Sequence, residues 1–432
     1  MINKLAQGLN ETLNGTIIER MLSDLGNRMY FPKGIIAQSA EAKKLGKTAN
    51  ATIGMSCVNG KPIILPSVHA ELPNLTSGEA VAYAPTAGNE DLRNLWKASM
   101  IEKNPGLKDK TFTLPVLVPG LTAGLSYLSD LFISEGDTLL AANPSWDNYP
   151  LIVRDRRNAN FVQFNMFKDG GFDIDSFKKA MEEQATSGKV RLLLNFPQNP
   201  SGYSATKTEV KAICKVITDI ADNGADVMVW CDDAYFGLSY EDDIEPQSLF
   251  TYLADIHEKV IAVKIDGPTK EDYVWGFRAG FLTFASKGLT QDHYTALIQK
   301  LMGVIRSSVS CASTPPQSIM IKAFSNPELK NEKAAFYKIL ESRYRIVKAF
   351  LETKKDNAAL EPLPFNSGYF MSLHCKGIEA ETLRQKLLAE YGIGIIAIDA
   401  TTIRIAFSSI DNELLETVYE KVYQAAEELL QN

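Results

Sequence analysis

The sequence predicts an α/β fold: a large domain with a mostly parallel sheet flanked by helices, plus a smaller α/β domain. Three observations lead there. From about residue 113 onward, short apolar runs ending in Gly, Pro, Asn or Asp alternate with stretches of 3.6-residue apolar period, as strands alternate with crossover helices. After Pro316 the pattern changes to long helical stretches around two short strand-like runs. At 432 residues, 45% of them hydrophobic, the chain exceeds what one ordinary core organises.

Strands are expected at 114–120, 138–144, 190–197, 227–233, 260–267 and 277–285, each stopped by a turn-forming residue. Crossover helices are expected at 175–184 and 208–223. Beyond Pro316 the pattern gives a helix through 348–354, a strand at 368–373, a helix near 381–391, a strand at 402–407 and a final amphipathic helix. The division that follows is a large domain over 65–320, and a small domain built from 321–432 joined by 1–64. Ligand-binding residues in such a sheet collect where the strands end.

Composition removes several classes of function. A formal charge of −7, with 45 Lys and Arg dispersed along the chain, offers no basic field for nucleic acid. No apolar run reaches membrane-spanning length, and Met1-Ile2-Asn3-Lys4 lacks a signal-peptide pattern, so a cytoplasmic enzyme with no membrane partner is expected. Five scattered cysteines without a CxxC suit free thiols in a reducing compartment. The four histidines have no metal-ligand spacing, so no metal is expected. The stretch from Gly54 to Pro62 superficially resembles a phosphate-binding P-loop, but it has one residue too many between its glycines and Pro62 where a Ser or Thr would hold magnesium.

Chemistry is concentrated on three successive strands. The first ends in Asn195-Phe-Pro-Gln-Asn199-Pro200-Ser201-Gly202, which alone is an Asx or Pro-Gly turn. The next ends in Asp232-Asp233-Ala-Tyr235, and acids there alone cap a helix. The third runs into Gly267-Pro268-Thr269-Lys270, with Arg278 eight residues on. A lysine in such a turn, beside a fixed cation, has its ammonium pKa lowered and serves as an amine nucleophile. The order of these three segments is more specific than any one of them.

In that order the residues resemble the fold-type-I pyridoxal-5′-phosphate (PLP) aminotransferases of class I/II, in particular the aspartate and aromatic aminotransferase group, over nearly the whole chain. The resemblance implies a Lys270 Schiff base, Asp232 on the pyridinium nitrogen, and Asn199 and Tyr235 on the phenolic oxygen. It implies Trp146 of Asn143-Pro-Ser-Trp146 stacking on the ring, and a phosphate cradle at Gly120, Leu121 and Thr122 completed by Thr269 and Arg278. Tyr83 is similar to a tyrosine that reaches the neighbouring subunit's phosphate, which implies a homodimer with shared active sites. Arg404 resembles the fork that grips the substrate α-carboxylate. Gly54 resembles part of a loop closing over substrate.

The chain also departs from the family. Where members often carry Ser-x-Ser-Lys it has Gly267-Pro268-Thr269-Lys270, which removes one hydroxyl from the phosphate site. Arg306 lies in a segment similar to the one that clamps dicarboxylate side chains, but the following Pro315-Pro316 comes three residues late.

The implied activity is ping-pong transfer of an amino group between an L-amino acid, dicarboxylic or aromatic, and a 2-oxo acid, with Lys270, Asp232 and Tyr235 as catalytic residues. Two alternatives stand beside it. One is a PLP-dependent C–S lyase, since the same carbanion eliminates a leaving group. The other is a non-catalytic PLP-binding regulatory module, although no basic helix-turn-helix pattern precedes Ala51.

Overall fold

The computed structural model describes residues 4–30, 57–58, 61–62 and 74–431. Its centre is a seven-stranded sheet. In chain order the strands are β1 (Val116–Val118), β2 (Thr138–Asn143), β3 (Asn160–Asn165), β4 (Lys189–Asn195), β5 (Asp226–Asp232), β6 (Val260–Asp266) and β7 (Gly280–Ser286). They lie side by side as β1-β7-β6-β5-β4-β2-β3, all parallel except β7, which runs against both β1 and β6. Every residue of β5, β6 and β7 is buried, which is why these strands read as continuous apolar runs rather than alternating ones. Arg191 interrupts the run in β4, yet it is satisfied: Nε donates to the carbonyl of Phe132 at 2.6 Å and Nη2 pairs with Asp137 at 2.9 Å.

Helices cover both faces. The helix Leu121–Phe132 packs on one side with Gln291–Ser308, and Ile174–Ala185 and Lys207–Asp222 pack on the other. The last begins in a capping box: Glu209 N–H donates to Thr206 Oγ1 at 3.3 Å, and Thr206 N–H donates back to the Glu209 carboxylate at 2.7 Å.

A second core gathers around a four-stranded antiparallel sheet, β8 (Leu360–Pro362), β9 (Met371–Cys375), β10 (Ile396–Ala397) and β11 (Thr402–Ile405), in the order β8-β9-β11-β10. Leu340, Tyr344 and Val347 of the helix Leu329–Glu352 meet Leu383, Leu387, Leu415, Tyr419 and Val422 of the later helices there. Tyr235 and Leu238, which follow β5, join the same cluster and bind the two cores at one edge.

Two expectations change. The helices Lys4–Leu13, Ile17–Met21 and Asp24–Arg28 fasten onto the large-sheet core through Leu13, Ile17, Ile18, Met21 and Leu22, not onto the small domain to which 1–64 was assigned. An additional strand, β3, closes the edge of the large sheet. Among the described residues no helix is long and apolar enough to cross a membrane, and no group of three or more His, Cys, Asp or Glu is placed to hold a metal.

Candidate active site

Strand register sets the floor of a cleft. Asn195 at the end of β4 lies opposite Asp232 at the end of β5, and Asp232 lies opposite Ile265 of β6. Three strand ends are therefore level, with the Asn199, Tyr235 and Lys270 turns rising from them. The adjacent acids point to different places. Asp232 lines the cleft, where its Oδ2 accepts a hydrogen bond from Tyr149 Oη at 2.6 Å and its Oδ1 one from the Ala234 N–H at 3.2 Å. Asp233 is occupied elsewhere: it pairs with the buried Lys264 and accepts from Ser248 Oγ at 2.6 Å, while Lys264 also reaches Asp266 at 3.3 Å. Of the two acids, Asp232, the one the resemblance named, faces the cleft, and Asp233 does not.

Asp232 is almost fully buried, and burial raises its pKa above the ordinary carboxylate value, with the Tyr149 hydrogen bond and the Lys270 charge opposing. Such a group is stabilised by a cationic or protonated partner on its open side. Asn195 Nδ2 donates to the Asp232 carbonyl at 2.6 Å while its Oδ1 accepts from the Asn199 N–H at 2.8 Å, so one side chain fixes both neighbouring turns.

Lys270 sits in the one-turn helix Pro268–Glu271 directly after β6. Its Nζ lies 4.9 Å from the Tyr235 ring centre, and its carbonyl accepts from Tyr369 Oη at 3.1 Å. Burial pushes its ammonium pKa down, with Asp232 opposing and the Arg278 charge adding to the shift. A larger share of neutral amine, the nucleophilic form, follows.

The opposite wall is a glycine cradle. Gly120 adopts φ +89° before the helix Leu121–Phe132, whose first N–H groups have no side-chain cap. A Cβ at Gly120 would lie 2.5 Å from the Arg278 guanidinium, so glycine is what lets that cation sit over the helix start. Free N–H groups, the positive end of a twelve-residue helix and a guanidinium together suit a phosphate dianion. Gly267 explains the missing serine. Its backbone is extended, but a Cβ there would meet Gly280 Cα at 2.9 Å, Ala279 O at 3.0 Å and Leu121 Cδ1 at 3.0 Å. Packing, not backbone angle, excludes a side chain. Thr269 is buried and its hydroxyl donates to Ala279 O at 3.3 Å.

At the rim, Arg404 of β11 donates from Nη1 to Asn199 Oδ1 at 2.7 Å, and its guanidinium carbon stands 4.3 Å from the Phe370 ring centre. Its buried Nε has no hydrogen-bond partner, and among the described residues no carboxylate pairs with it. An under-satisfied planar fork of this kind suits a carboxylate ligand.

The cleft thus collects Leu121, Thr122, Trp146, Asn199, Asp232, Tyr235, Thr269, Lys270 and Arg278, with Gly120 and Arg404 at its edges. Tyr83 lies outside it, 69% exposed. Arg306, half-buried near the end of Gln291–Ser308, is not among the cleft's lining residues. Gly54 lies outside the described residues. Tyr149, Asn195, Tyr369 and Phe370 were not expected. Tyr149 had a signal, since it stands three residues after Trp146, and the two rings meet edge to face with centres 5.4 Å apart. The other three owe their roles to strand register and to contact between the two cores.

The family model for aminotransferase class I and II matches residues 52–422. This chain belongs to the class I and II aminotransferases. The aminotransferase is 20% identical over 409 residues to an aspartate aminotransferase of Sulfolobus acidocaldarius, covering 90% of this chain and 96% of that relative. Its fold matches an aminotransferase from Anaerococcus prevotii with TM-score 0.71 and 22% identity, over 94% of this chain and 96% of that one. It also matches a Pyrococcus horikoshii kynurenine aminotransferase solved with PMP, with TM-score 0.69 and 17% identity, over 97% and 100%. The aminotransferase is a PLP-dependent enzyme. The donor set fits that cofactor in kind: a buried carboxylate, an indole and a glycine cradle with a guanidinium line or edge one cleft, groups that suit a pyridinium nitrogen, an aromatic ring and a phosphate.

Proposed function

We propose that this aminotransferase moves an amino group between an L-amino acid, dicarboxylic or aromatic, and a 2-oxo acid by ping-pong chemistry, with Lys270 joined to the cofactor as a Schiff base. The observation that carries this reading is the convergence of Lys270, Asp232 and the Gly120 cradle on one cleft, with the under-satisfied Arg404 fork at its rim.

Bound PLP supplies an electron sink for a carbanion at the substrate Cα. The rest is the work of the chain. Asp232, held by Tyr149, keeps the ring nitrogen protonated. Asn199 and Tyr235 hold the phenolic oxygen, and Trp146 covers the ring and excludes water. Gly120, Leu121, Thr122, Thr269 and Arg278 bind the phosphate. Arg404 orients the α-carboxylate, and Lys270 Nζ takes the proton from the substrate Cα. Nothing in the cleft favours a C–S lyase or a regulatory module over transamination.

The exposed Tyr83 ring supports a homodimer in which that residue completes the partner's phosphate site. The dispersed free cysteines support a cytoplasmic enzyme.

The test is absorbance of the purified protein with a panel of amino acids. Conversion to the pyridoxamine form with release of a 2-oxo acid is expected. Ammonia and pyruvate without that conversion would indicate elimination instead.

A further inference from the structure

Two acids follow Lys270 directly, and both turn away from the cleft. Glu271 pairs with Lys103 and, at 3.3 Å, with Lys333, while Lys333 also pairs with Asp272 at 2.7 Å. The acids are largely buried, with side chains 12% and 6% exposed. Two cations and two anions make the cluster neutral as a whole.

The cations arrive from different sides. Lys103 ends the helix Glu90–Lys103 and lies over the Trp96 ring, 5.2 Å from its centre; that indole N–H donates to Asp266 Oδ1 at 3.2 Å, at the end of β6. Lys333 lies near the start of Leu329–Glu352, the helix whose Leu340, Tyr344, Val347 and Leu351 build the second core. A further tie comes from Tyr369, just ahead of β9, whose hydroxyl donates to the Lys270 carbonyl. The lysine turn is thus gripped by the large domain through Lys103 and by the second core through Lys333 and Tyr369.

Burial opposes ionisation of Glu271, but Lys103 and Lys333 outweigh it and hold its pKa below the ordinary value. With both acids largely buried, removing one charge leaves the others under-compensated, which favours this pairing geometry.

Taking Lys270 as the cofactor-binding lysine, we propose that Glu271 is a positioning residue. Its cluster with Lys103, Lys333 and Asp272 fixes the direction of the Lys270 side chain and ties it to the second core, which carries Arg404. Amine and carboxylate fork are thereby held in one frame.

The test uses protein stripped of cofactor, exposed to PLP, reduced with borohydride at timed intervals and mapped by peptide. The parent, Glu271→Gln, Glu271→Asp and Lys333→Met are compared, with hydrogen exchange over 267–278 and a denaturation midpoint for each. Glu271→Gln and Lys333→Met should each slow Lys270 labelling at least about fivefold, since small misplacements of a reacting group are costly in rate. Exchange should rise within 267–278 and not in β4 or β5, and Glu271→Asp should recover most of the loss. Parent-like labelling and exchange in both variants would overturn the proposal, as would faster exchange spread evenly over the chain. If Glu271→Gln does not fold, Lys333→Met, with a quarter-exposed side chain, decides the matter alone. A parent labelled at a lysine other than Lys270 would instead remove the reading on which the proposal rests.

Discussion

Gly267→Ser restores the hydroxyl that the family often carries before its lysine, and the structure predicts that it does harm. A Cβ at this position meets Gly280 Cα at 2.9 Å, Ala279 O at 3.0 Å and Leu121 Cδ1 at 3.0 Å. Two of these three atoms are backbone at the start of β7, so no rotamer change relieves them. Gly280 is itself close to the cradle, since a Cβ there would lie 3.0 Å from Gly120 C and Leu121 N. Pushing β7 away from the lysine turn therefore presses on the phosphate turn. Overpacking of this kind costs about 1–3 kcal/mol. The φ of Gly267 is 168°, an extended value open to any residue, so backbone strain adds nothing. Chemical denaturation of the cofactor-free protein should show a loss in that range for both Gly267→Ser and Gly267→Ala. PLP titration followed by absorbance should show weaker binding in both. Parent-like stability with tighter PLP binding in Gly267→Ser would refute the packing argument.

Asp232→Asn should lower kcat/KM by at least about a hundredfold, roughly 2.7 kcal/mol, because a neutral amide does not hold the pyridinium proton. The same variant should cost the cofactor-free protein no stability at neutral pH: burial raises the folded pKa of Asp232, so its favourable contribution is present at acid pH and lost as pH rises through that value. Denaturation at acid and neutral pH checks the sign, and a parent more stable than the variant at neutral pH would contradict it. Tyr149→Phe removes the donor to Asp232 Oδ2 and should lower kcat by about ten- to a hundredfold, in keeping with a hydrogen bond to a charged group of about 1.5–3 kcal/mol; steady-state kinetics with unchanged Arg404-dependent binding would separate this from general damage. Arg404→Ala should reduce kcat/KM for every amino acid by about tenfold or more, whereas Arg306→Ala, outside the cleft, should change it little for any donor. A loss for Arg306→Ala confined to dicarboxylic donors would instead make it a specificity residue.

Most of the large sheet was legible because its strands are buried on both faces and end in turn residues; β4, β5 and β6 fall within a residue or two of the expected runs. The edge strand β3 was not, because Asn160, Gln163 and Asn165 face solvent and dilute the apolar signal. The N-terminal helices carry an amphipathic pattern that does not say which core they join. At the site, residues whose chemistry is local, such as Lys270 in its turn, could be read directly. Residues that act by holding others could not. Asn195 bridges two turns only once β4 and β5 are in register, Lys333 reaches Glu271 across 62 positions of sequence, and the space denied at Gly267 exists only when β7 is in place.

Every role assigned in the cleft turns on Lys270 being the lysine that binds the cofactor. Borohydride reduction of the PLP-loaded protein, followed by peptide mapping, addresses this directly. A single pyridoxyl label on Lys270 is expected, and none on that residue's substitute in Lys270→Ala, which should still bind PLP noncovalently through Asp232, Asn199, Arg278 and the cradle. A label on another lysine in the parent, such as the ion-paired Lys264, would contradict it.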